Sequence, residues 1–193
     1  MSKTLFLSTL ISLGLLFTAC SDNNKEKTKD TAMNEKANSI LSTNEFVLTA
    51  LDKKQYTIKK SPTGFTVDGM KDKVIIIDVF ATWCPPCQAE ASHLSSLQKK
   101  YKDSLFVVGV TVEQDIANEK LENFKHEYNA EYTFVNSSEN SRLIDAIATK
   151  LKIGKNFGIP LMAMYKNGVL INFYQGATEE EFIESDIKKA LGK

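Results

Sequence analysis

Two cysteines separated by two prolines form the strongest chemical signal in this sequence, the stretch Cys-Pro-Pro-Cys at residues 84–87. Thiols at this spacing can pass between a dithiol and a disulfide, because one thiolate attacks a disulfide and the second thiol resolves the mixed disulfide. A zinc site could also use the pair, but it needs two further ligands. The remaining candidates are Cys20, far away in the chain, and the separated His93 and His126. We therefore expect redox chemistry without a metal or another cofactor.

The residues around the pair predict a strand before it and a helix after it. Residues 74–80 form a short apolar run rich in β-branched residues, which is typical of a buried strand. Apolar residues recur over 86–101 as on an amphipathic helix. Cys84 then lies at a helix N-terminus, where free N–H groups and the helix dipole stabilise a thiolate. Pro85 and Pro86 donate no N–H and therefore suit the first helical positions.

Apolar periodicity and turn residues predict further strands and helices on both sides of this unit. The predicted strands are 46–51, 55–58, 65–67, 105–112, 132–135, 161–165 and 169–174, and the predicted helices are 115–129 and 139–151. A last helix is expected to begin with a capping box, in which Thr178 is the N-cap and Glu181 is at N3.

Composition is that of an ordinary globular protein and argues against several function classes. The chain has 193 residues, which suits one domain with appendages. Lysine plus arginine and aspartate plus glutamate each number 24, so the charge balance gives no indication of nucleic-acid binding. The 3 cysteines are too few for a disulfide-stapled scaffold, which favours a chemical role for the thiols. We expect a monomer that binds no nucleic acid.

The first residues of the chain predict export. Lys3 supplies a positive charge, and residues 5–17 form an apolar stretch shorter than the ~20 residues that a transmembrane helix needs. Residues 17–20, Phe-Thr-Ala-Cys, resemble a bacterial lipobox, whose cysteine becomes lipid-modified and forms the new N-terminus. We expect a lipoprotein-type signal peptide over 1–19 and lipidation at Cys20, with plain secretion and an uncleaved anchor as alternatives.

A polar segment follows the signal and precedes the folded domain. Residues 20–44 are rich in Ser, Asp, Asn, Lys, Glu and Thr and hold few apolar residues. Such a segment cannot bury enough apolar surface to offset the entropy of ordering, so it predicts a flexible tether. The folded domain is expected over 45–193.

Residues 80–87, Phe-Ala-Thr-Trp-Cys-Pro-Pro-Cys, resemble the active site of the TlpA/ResA-like branch of the thioredoxin superfamily, whose members are extracytoplasmic and often lipoproteins or membrane-tethered. The resemblance covers roughly 45–193. It implies an α/β thioredoxin fold with extra N-terminal strands. It also implies an inserted strand–helix unit, at about 132–151, between the active-site helix region and the strand that follows Pro160.

The resemblance also assigns roles to residues at and near the pair. Cys84 corresponds to the exposed attacking cysteine, and Cys87 to the buried resolving one. Trp83 corresponds to the Trp that packs beside the dithiol, a position that is compatible with being a core aromatic. Pro160 corresponds to a proline whose cis peptide faces the dithiol, the alternative being a trans proline that begins an edge strand. The backbone of Ile159 would then pair with an extended client segment.

Three acidic residues are further candidates. Asp78 interrupts the apolar run 74–80, so burial should raise its pKa unless its side chain reaches water. By resemblance it corresponds to the thioredoxin acid that exchanges protons with the buried cysteine, where many TlpA/ResA-like proteins carry Asn. Glu90, three residues after Cys87, corresponds to a Glu that tunes thiol pKa, or is a solvated helix residue. Glu113, at the end of the second apolar strand, lies at the edge where active sites form.

The function that these residues favour is thiol–disulfide exchange outside the cytoplasm. The first hypothesis is an enzyme that reduces disulfides in exported Cys-containing proteins, apocytochrome c being one client class that the resemblance implies. Its electrons would come from a membrane thiol–disulfide carrier. The alternatives are an oxidase that introduces disulfides and a non-catalytic adaptor for exported proteins. We expect a membrane-anchored lipoprotein that faces the periplasm or the cell exterior.

Overall fold

The computed structural model describes residues 44–193 of the chain. The predicted signal peptide 1–19, the predicted lipidation site Cys20 and the tether up to residue 43 lie outside the described residues. Within residues 44–193, no helix combines the length and the apolar character that crossing a bilayer requires.

The elements of the described chain alternate between strands and helices after an N-terminal group of strands. The strands are β1 (Glu45–Thr49), β2 (Gln55–Lys60), β3 (Phe65–Val67), β4 (Val74–Phe80), β5 (Leu105–Thr111), β6 (Thr133–Val135), β7 (Leu161–Lys166) and β8 (Val169–Gln175). The helices are α1 (Pro85–Lys100), α2 (Asn118–Glu127), α3 (Asn140–Leu151) and α4 (Glu180–Leu191). Each predicted strand and helix is present, with ends that differ by a few residues.

The capping box predicted for the last helix is wrong. Helix α4 begins at Glu180, and Glu179 is its N-cap without a side-chain hydrogen bond. Thr178 lies in the loop before the helix, where its hydroxyl donates to the carbonyl oxygen of Gly176 at 3.4 Å. The backbone N–H of Thr178, which a capping box would direct to the side chain of Glu181, donates to Oε2 of Glu90 at 3.2 Å.

A five-stranded sheet in the order β6-β5-β4-β7-β8 forms the centre of the domain. Strand β4 pairs parallel to β5 and antiparallel to β7. All of its residues are buried, as expected for a strand of Val, Ile and Phe that is covered on both faces. In this register, Asp78 lies between Gly109 of β5 and Met162 of β7.

Side chains that alternate along β4 enter two separate cores. Ile75, Ile77 and Val79 pack with β1, β2, β3 and α3 on one side of the sheet, which we call the apolar face. On the other side, Val74, Ile76 and Phe80 pack with α1, α2, α4 and the two cysteines, and we call this the dithiol face. Because side chains alternate with a period of two, Asp78 projects from the dithiol face.

The N-terminal strands form an antiparallel sheet in the order β1-β2-β3. Beyond β1, Ala50 forms an isolated bridge with Val135 of β6. Two backbone hydrogen bonds flank this bridge, from Leu51 N–H to Phe134 and from Asn136 N–H to Thr49. The extra N-terminal strands and the inserted β6–α3 unit confirm the predicted α/β fold class.

Candidate active site

The two cysteines lie where strand β4 passes into helix α1. Cys84 is the N-cap of α1, and Pro85 and Pro86 occupy the first two helical positions. Cys84 and Cys87 form a disulfide with their Cα atoms 5.3 Å apart. The backbone N–H of Cys87 donates to Sγ of Cys84 at 3.3 Å. A helix N-terminus thus points a donor at the sulfur that would carry negative charge in the dithiol state.

The exposure of Cys84 differs from the expectation of an exposed sulfur. Both cysteines are 3% exposed in this oxidised state. The peptide bond between Ile159 and Pro160 is cis. The carbonyl oxygen of Ile159 lies 3.8 Å from Sγ of Cys84, so the loop before β7 covers the disulfide.

Trp83 is the exposed aromatic beside the disulfide. Its side chain is 66% exposed, so it is not a core aromatic. Large apolar side chains on a surface are informative when they adjoin a reactive group, because they offer contact area to a partner.

Two polar side chains form hydrogen bonds with the loop 81–83 before the disulfide. Glu113 accepts hydrogen bonds from the backbone N–H of Thr82 at 2.6 Å and from its hydroxyl at 3.0 Å. On the other side, Nε2 of Gln88 donates to the carbonyl oxygen of Thr82 at 2.8 Å. Sequence analysis placed Glu113 at the correct edge of the sheet, but nothing in the sequence indicated Thr82 and Gln88 as its partners.

Asp78 and Glu90 are both buried on the dithiol face, at 4% and 2% exposure, so the water-facing alternatives for them are wrong. Oδ2 of Asp78 accepts a hydrogen bond from the hydroxyl of Tyr132 at 2.9 Å. Oε2 of Glu90 accepts one from the backbone N–H of Thr178 at 3.2 Å. Within the described residues, Oε1 of Glu90 has no hydrogen-bond partner.

Burial places the protonation of both carboxyl groups near neutral pH. It raises the pKa of Asp78 from 3.8 to about 7, against the lowering effect of the Tyr132 hydrogen bond. Burial and, secondarily, the charge of Asp78 raise the pKa of Glu90 from 4.5 to about 8, while the Thr178 N–H acts to lower it. The two carboxyl groups therefore interact, and each step of their titration belongs to the pair rather than to one residue.

Sequence analysis missed Tyr132, which reaches Asp78 from outside strand β4. Gly109 lies beside Asp78 in β5, and a Cβ at that position would lie 3.1 Å from Cε2 of Tyr132. The absent side chain leaves room for the tyrosine ring over β5. A glycine inside an otherwise apolar strand is the signal that could have indicated this close approach.

The arrangement is suited to thiol–disulfide exchange coupled to proton transfer. One face of the central sheet holds a disulfide at a helix N-terminus and two buried carboxyl groups with pKa values of about 7 and about 8. In the part of the chain that the structure describes, no group of three or more His, Cys, Asp or Glu side chains is arranged to hold a metal ion.

Comparisons with known proteins find similarity over most of this domain. The profile of the Redoxin family matches residues 48–191. Thiol-disulfide oxidoreductase ResA from Bacillus thuringiensis subsp. konkukian is 26% identical over 148 residues, which are 75% of this chain and 73% of that protein. Thioredoxin-1 from Drosophila melanogaster is 33% identical over 79 residues, which are 40% of this chain and 68% of that protein.

A solved structure supports the fold. The thiol:disulfide interchange protein of the thioredoxin family from Chlorobium tepidum superimposes with a TM-score of 0.62 at 23% identity. The superposition covers 77% of this chain and 94% of that one.

Proposed function

This chain belongs to the Redoxin family, and from that premise we propose that it reduces disulfide bonds in exported proteins. It is a thiol–disulfide oxidoreductase of the TlpA/ResA-like thioredoxin type. The observation that carries the proposal is the disulfide between Cys84 and Cys87 at the N-terminus of α1, with the backbone of Ile159 beside it.

The reduced enzyme would act through two successive displacements. The Cys84 thiolate attacks one sulfur of a client disulfide, forms a mixed disulfide and releases the other client sulfur as a thiolate. The Cys87 thiol then gives its proton to Asp78 and attacks Sγ of Cys84, which releases the second client thiolate. The client gains two electrons and two protons, one passed from Asp78 through water and one taken from the solvent, and the enzyme is left as the Cys84–Cys87 disulfide. Glu90 is the second proton-holding group of this site.

Client binding would use the surface around Cys84. Trp83 offers an exposed ring next to the disulfide. The backbone of Ile159, whose carbonyl oxygen lies near Sγ of Cys84, would pair with an extended client segment as an added strand does. Backbone pairing does not depend on the side chains of the client, which suits an enzyme for a class of exported proteins.

The cellular setting is proposed from the sequence and the resemblance. A signal peptide over 1–19 would export the chain, lipid at Cys20 would anchor it, and the tether 20–44 would separate the domain 45–193 from the bilayer. A membrane thiol–disulfide carrier would return electrons to the monomeric enzyme, and apocytochrome c would be one client class.

The test is the reduction potential of the Cys84–Cys87 couple, with turnover of an insulin-type disulfide substrate. We expect a potential near or below that of thioredoxin, about −270 mV, and turnover that is lost in Cys84→Ser. A potential near about −120 mV would assign the oxidase function to the same residues instead. Absence of turnover, or equal turnover by Cys84→Ser, would contradict the enzymatic function and favour the non-catalytic adaptor.

A further inference from the structure

Tyr132 is held so that its hydroxyl can reach only a narrow region of the dithiol face. The residue is 5% exposed, and its ring stacks on that of Phe134 with centroids 4.5 Å apart. The gap left by Gly109 admits the ring over β5. At the end of this ring, the hydroxyl donates to Oδ2 of Asp78. Because the ring has so few alternative positions, its hydroxyl is a hydrogen-bond donor with a fixed direction.

The two buried carboxyl groups are not equivalent in their donors. Asp78 accepts an O–H bond at 2.9 Å, whereas Glu90 accepts an N–H bond at 3.2 Å. Oε1 of Glu90 is buried without a partner in the described part of the chain. A carboxylate oxygen that is buried without a donor disfavours the charged form, and a donated hydrogen bond favours it. The geometry therefore favours a charged Asp78 and a protonated Glu90 when the pair holds one proton.

Within residues 44–193, the direct neighbours of Asp78 and Glu90 are mostly uncharged groups. The strand neighbours of Asp78, Gly109 in β5 and Met162 in β7, carry no charge. Helix α1 contributes Glu90 and the cysteines, and the loop before α4 contributes the Thr178 N–H. Three charged residues line a cavity of 190 Å³ that Tyr132 also lines: Asp52, Glu122 and Lys125.

We propose that Tyr132 is a positioning residue of the exchange reaction, because its hydroxyl bond to Asp78 keeps Asp78 as the proton acceptor for Cys87 and leaves the shared proton on Glu90. The proposal rests on the oxidoreductase function, since it concerns the resolving step of that reaction. Without the hydroxyl, the shared proton moves to Asp78, and the acceptor for the Cys87 proton is already occupied near neutral pH.

The test is a single-turnover measurement of the resolving step. The full chain, with Cys20→Ser in every sample, is prepared with 2-nitro-5-thiobenzoate as the mixed-disulfide partner of Cys84. Attack by Cys87 releases the coloured thiolate, and its rate is recorded from pH 5 to pH 9. The variant is Tyr132→Phe. The matched control is Tyr165→Phe, a fully buried tyrosine on the apolar face whose hydroxyl has no partner within the described residues.

We expect Tyr132→Phe to move the midpoint of the pH–rate profile upward by about one pH unit, which is about a tenfold slower release on the acid side of the midpoint. Tyr165→Phe is expected to keep the wild-type midpoint. A purely structural role for Tyr132 would lower the rate at every pH without moving the midpoint, and that result overturns the proposal.

Two further measurements separate this proposal from the proposed function. Combined with Asp78→Asn, the Tyr132→Phe change should have no additional effect on release. Carboxyl ¹³C titration of the oxidised protein should show the Asp78 midpoint rising in Tyr132→Phe, and this readout needs no turnover. If the wild-type chain turns over no disulfide substrate, the proposed function fails, while an unmoved Asp78 midpoint contradicts the role of Tyr132 independently.

Discussion

The two faces of the central sheet differ in whether they bury carboxyl groups, although both are built on the same strand. Three residues of β4 enter the apolar face, and its core contains no carboxyl group among the described residues. The dithiol face receives Asp78 from the same strand and Glu90 from α1, both nearly fully buried. A buried carboxyl group lowers stability unless it is paired or protonated. Among the described residues, the fold therefore accepts this cost only on the side that holds the disulfide.

One tyrosine on each face shows the same contrast. Tyr165 is fully buried on the apolar face, and its hydroxyl has no hydrogen-bond partner within the described residues. Tyr132 on the dithiol face donates to Asp78. The first contributes mainly its ring, which packs edge-on against Phe65 at 5.5 Å. The second contributes its ring and a directed donor, so equal burial does not mean equal function.

The largest expected effect comes from placing a carboxyl group on the apolar face. Ile77 is fully buried in that core, with 0% of its surface exposed. We expect Ile77→Asp to lower the free energy of unfolding by on the order of 4 kcal/mol at pH 7, because nothing there is arranged to stabilise the charge. Urea denaturation measures it. The control Ile77→Val should cost about 1 kcal/mol, and equal losses in both would remove the contrast between the faces.

The next effect concerns the pH dependence of stability on the dithiol face. The pKa of Asp78 is raised from 3.8 to about 7 in the fold, so its stabilising contribution is complete below pH 3.8 and is lost as the pH rises to about 7. Asp78→Asn removes this dependence. Relative to wild type, we expect the variant to gain on the order of 2–4 kcal/mol in unfolding free energy between pH 4 and pH 8.

Denaturation midpoints at several pH values measure this gain, and the exposed Asp145→Asn controls for the loss of one negative charge. A difference between Asp78→Asn and wild type that stays constant with pH would mean that Asp78 is charged throughout, contrary to its burial.

A smaller effect is expected where the two aromatic rings cross β5. A Cβ at Gly109 would lie 3.1 Å from both Cε2 of Tyr132 and Cε1 of Phe134, so the rings would have to shift. We expect Gly109→Ala to cost about 1–2 kcal/mol of unfolding free energy. It should also move the pH–rate midpoint in the direction of Tyr132→Phe. Val108→Ala, whose side chain faces the apolar core, should cost a similar amount without moving that midpoint.

The smallest stability effect is expected at the surface of the dithiol face. Because Trp83 is 66% exposed, Trp83→Ala should change the unfolding free energy by less than about 0.5 kcal/mol. Reduction of a protein disulfide should nevertheless slow several-fold, while release of the small thiobenzoate probe stays unchanged. Val169→Ala, at the far end of the sheet, serves as the exposed control. Unchanged client kinetics in Trp83→Ala would contradict a contact role for the ring.

The sequence predicted the parts of this molecule that depend on local patterns. The β-branched run 74–80 and the periodicity after Cys87 require only neighbouring residues to be interpreted, and both elements are present. The spacing of the cysteines and the following helix likewise located the disulfide. Asp78 could be placed inside a strand for the same reason.

The remaining features depend on residues that are distant in sequence. The buried Glu90 accepts its hydrogen bond from the loop that contains Thr178, and this contact takes the backbone N–H that the predicted capping box would have used. Coverage of Cys84 requires the backbone of Ile159. Tyr132 reaches Asp78 only because β6, β5 and β4 are adjacent in the sheet. A local sequence pattern does not show which distant residues come into contact. Gly109 is the exception, because a glycine in an apolar strand indicates a close approach such as that of the Tyr132 ring.

The bridge between Ala50 and Val135 has a consequence for the order in which the domain can assemble. Strands β1, β2 and β3 follow one another closely, so they can pair through short turns without waiting for later elements. The bridge from Ala50, just after β1, to Val135 can form only after α1, β5 and α2 have followed in the chain. The N-terminal strands already share the apolar core with β4 and β5, so β6 is not needed to dock them. Its pairing with the chain after β1 instead ties the inserted β6–α3 unit to the first strand of the domain.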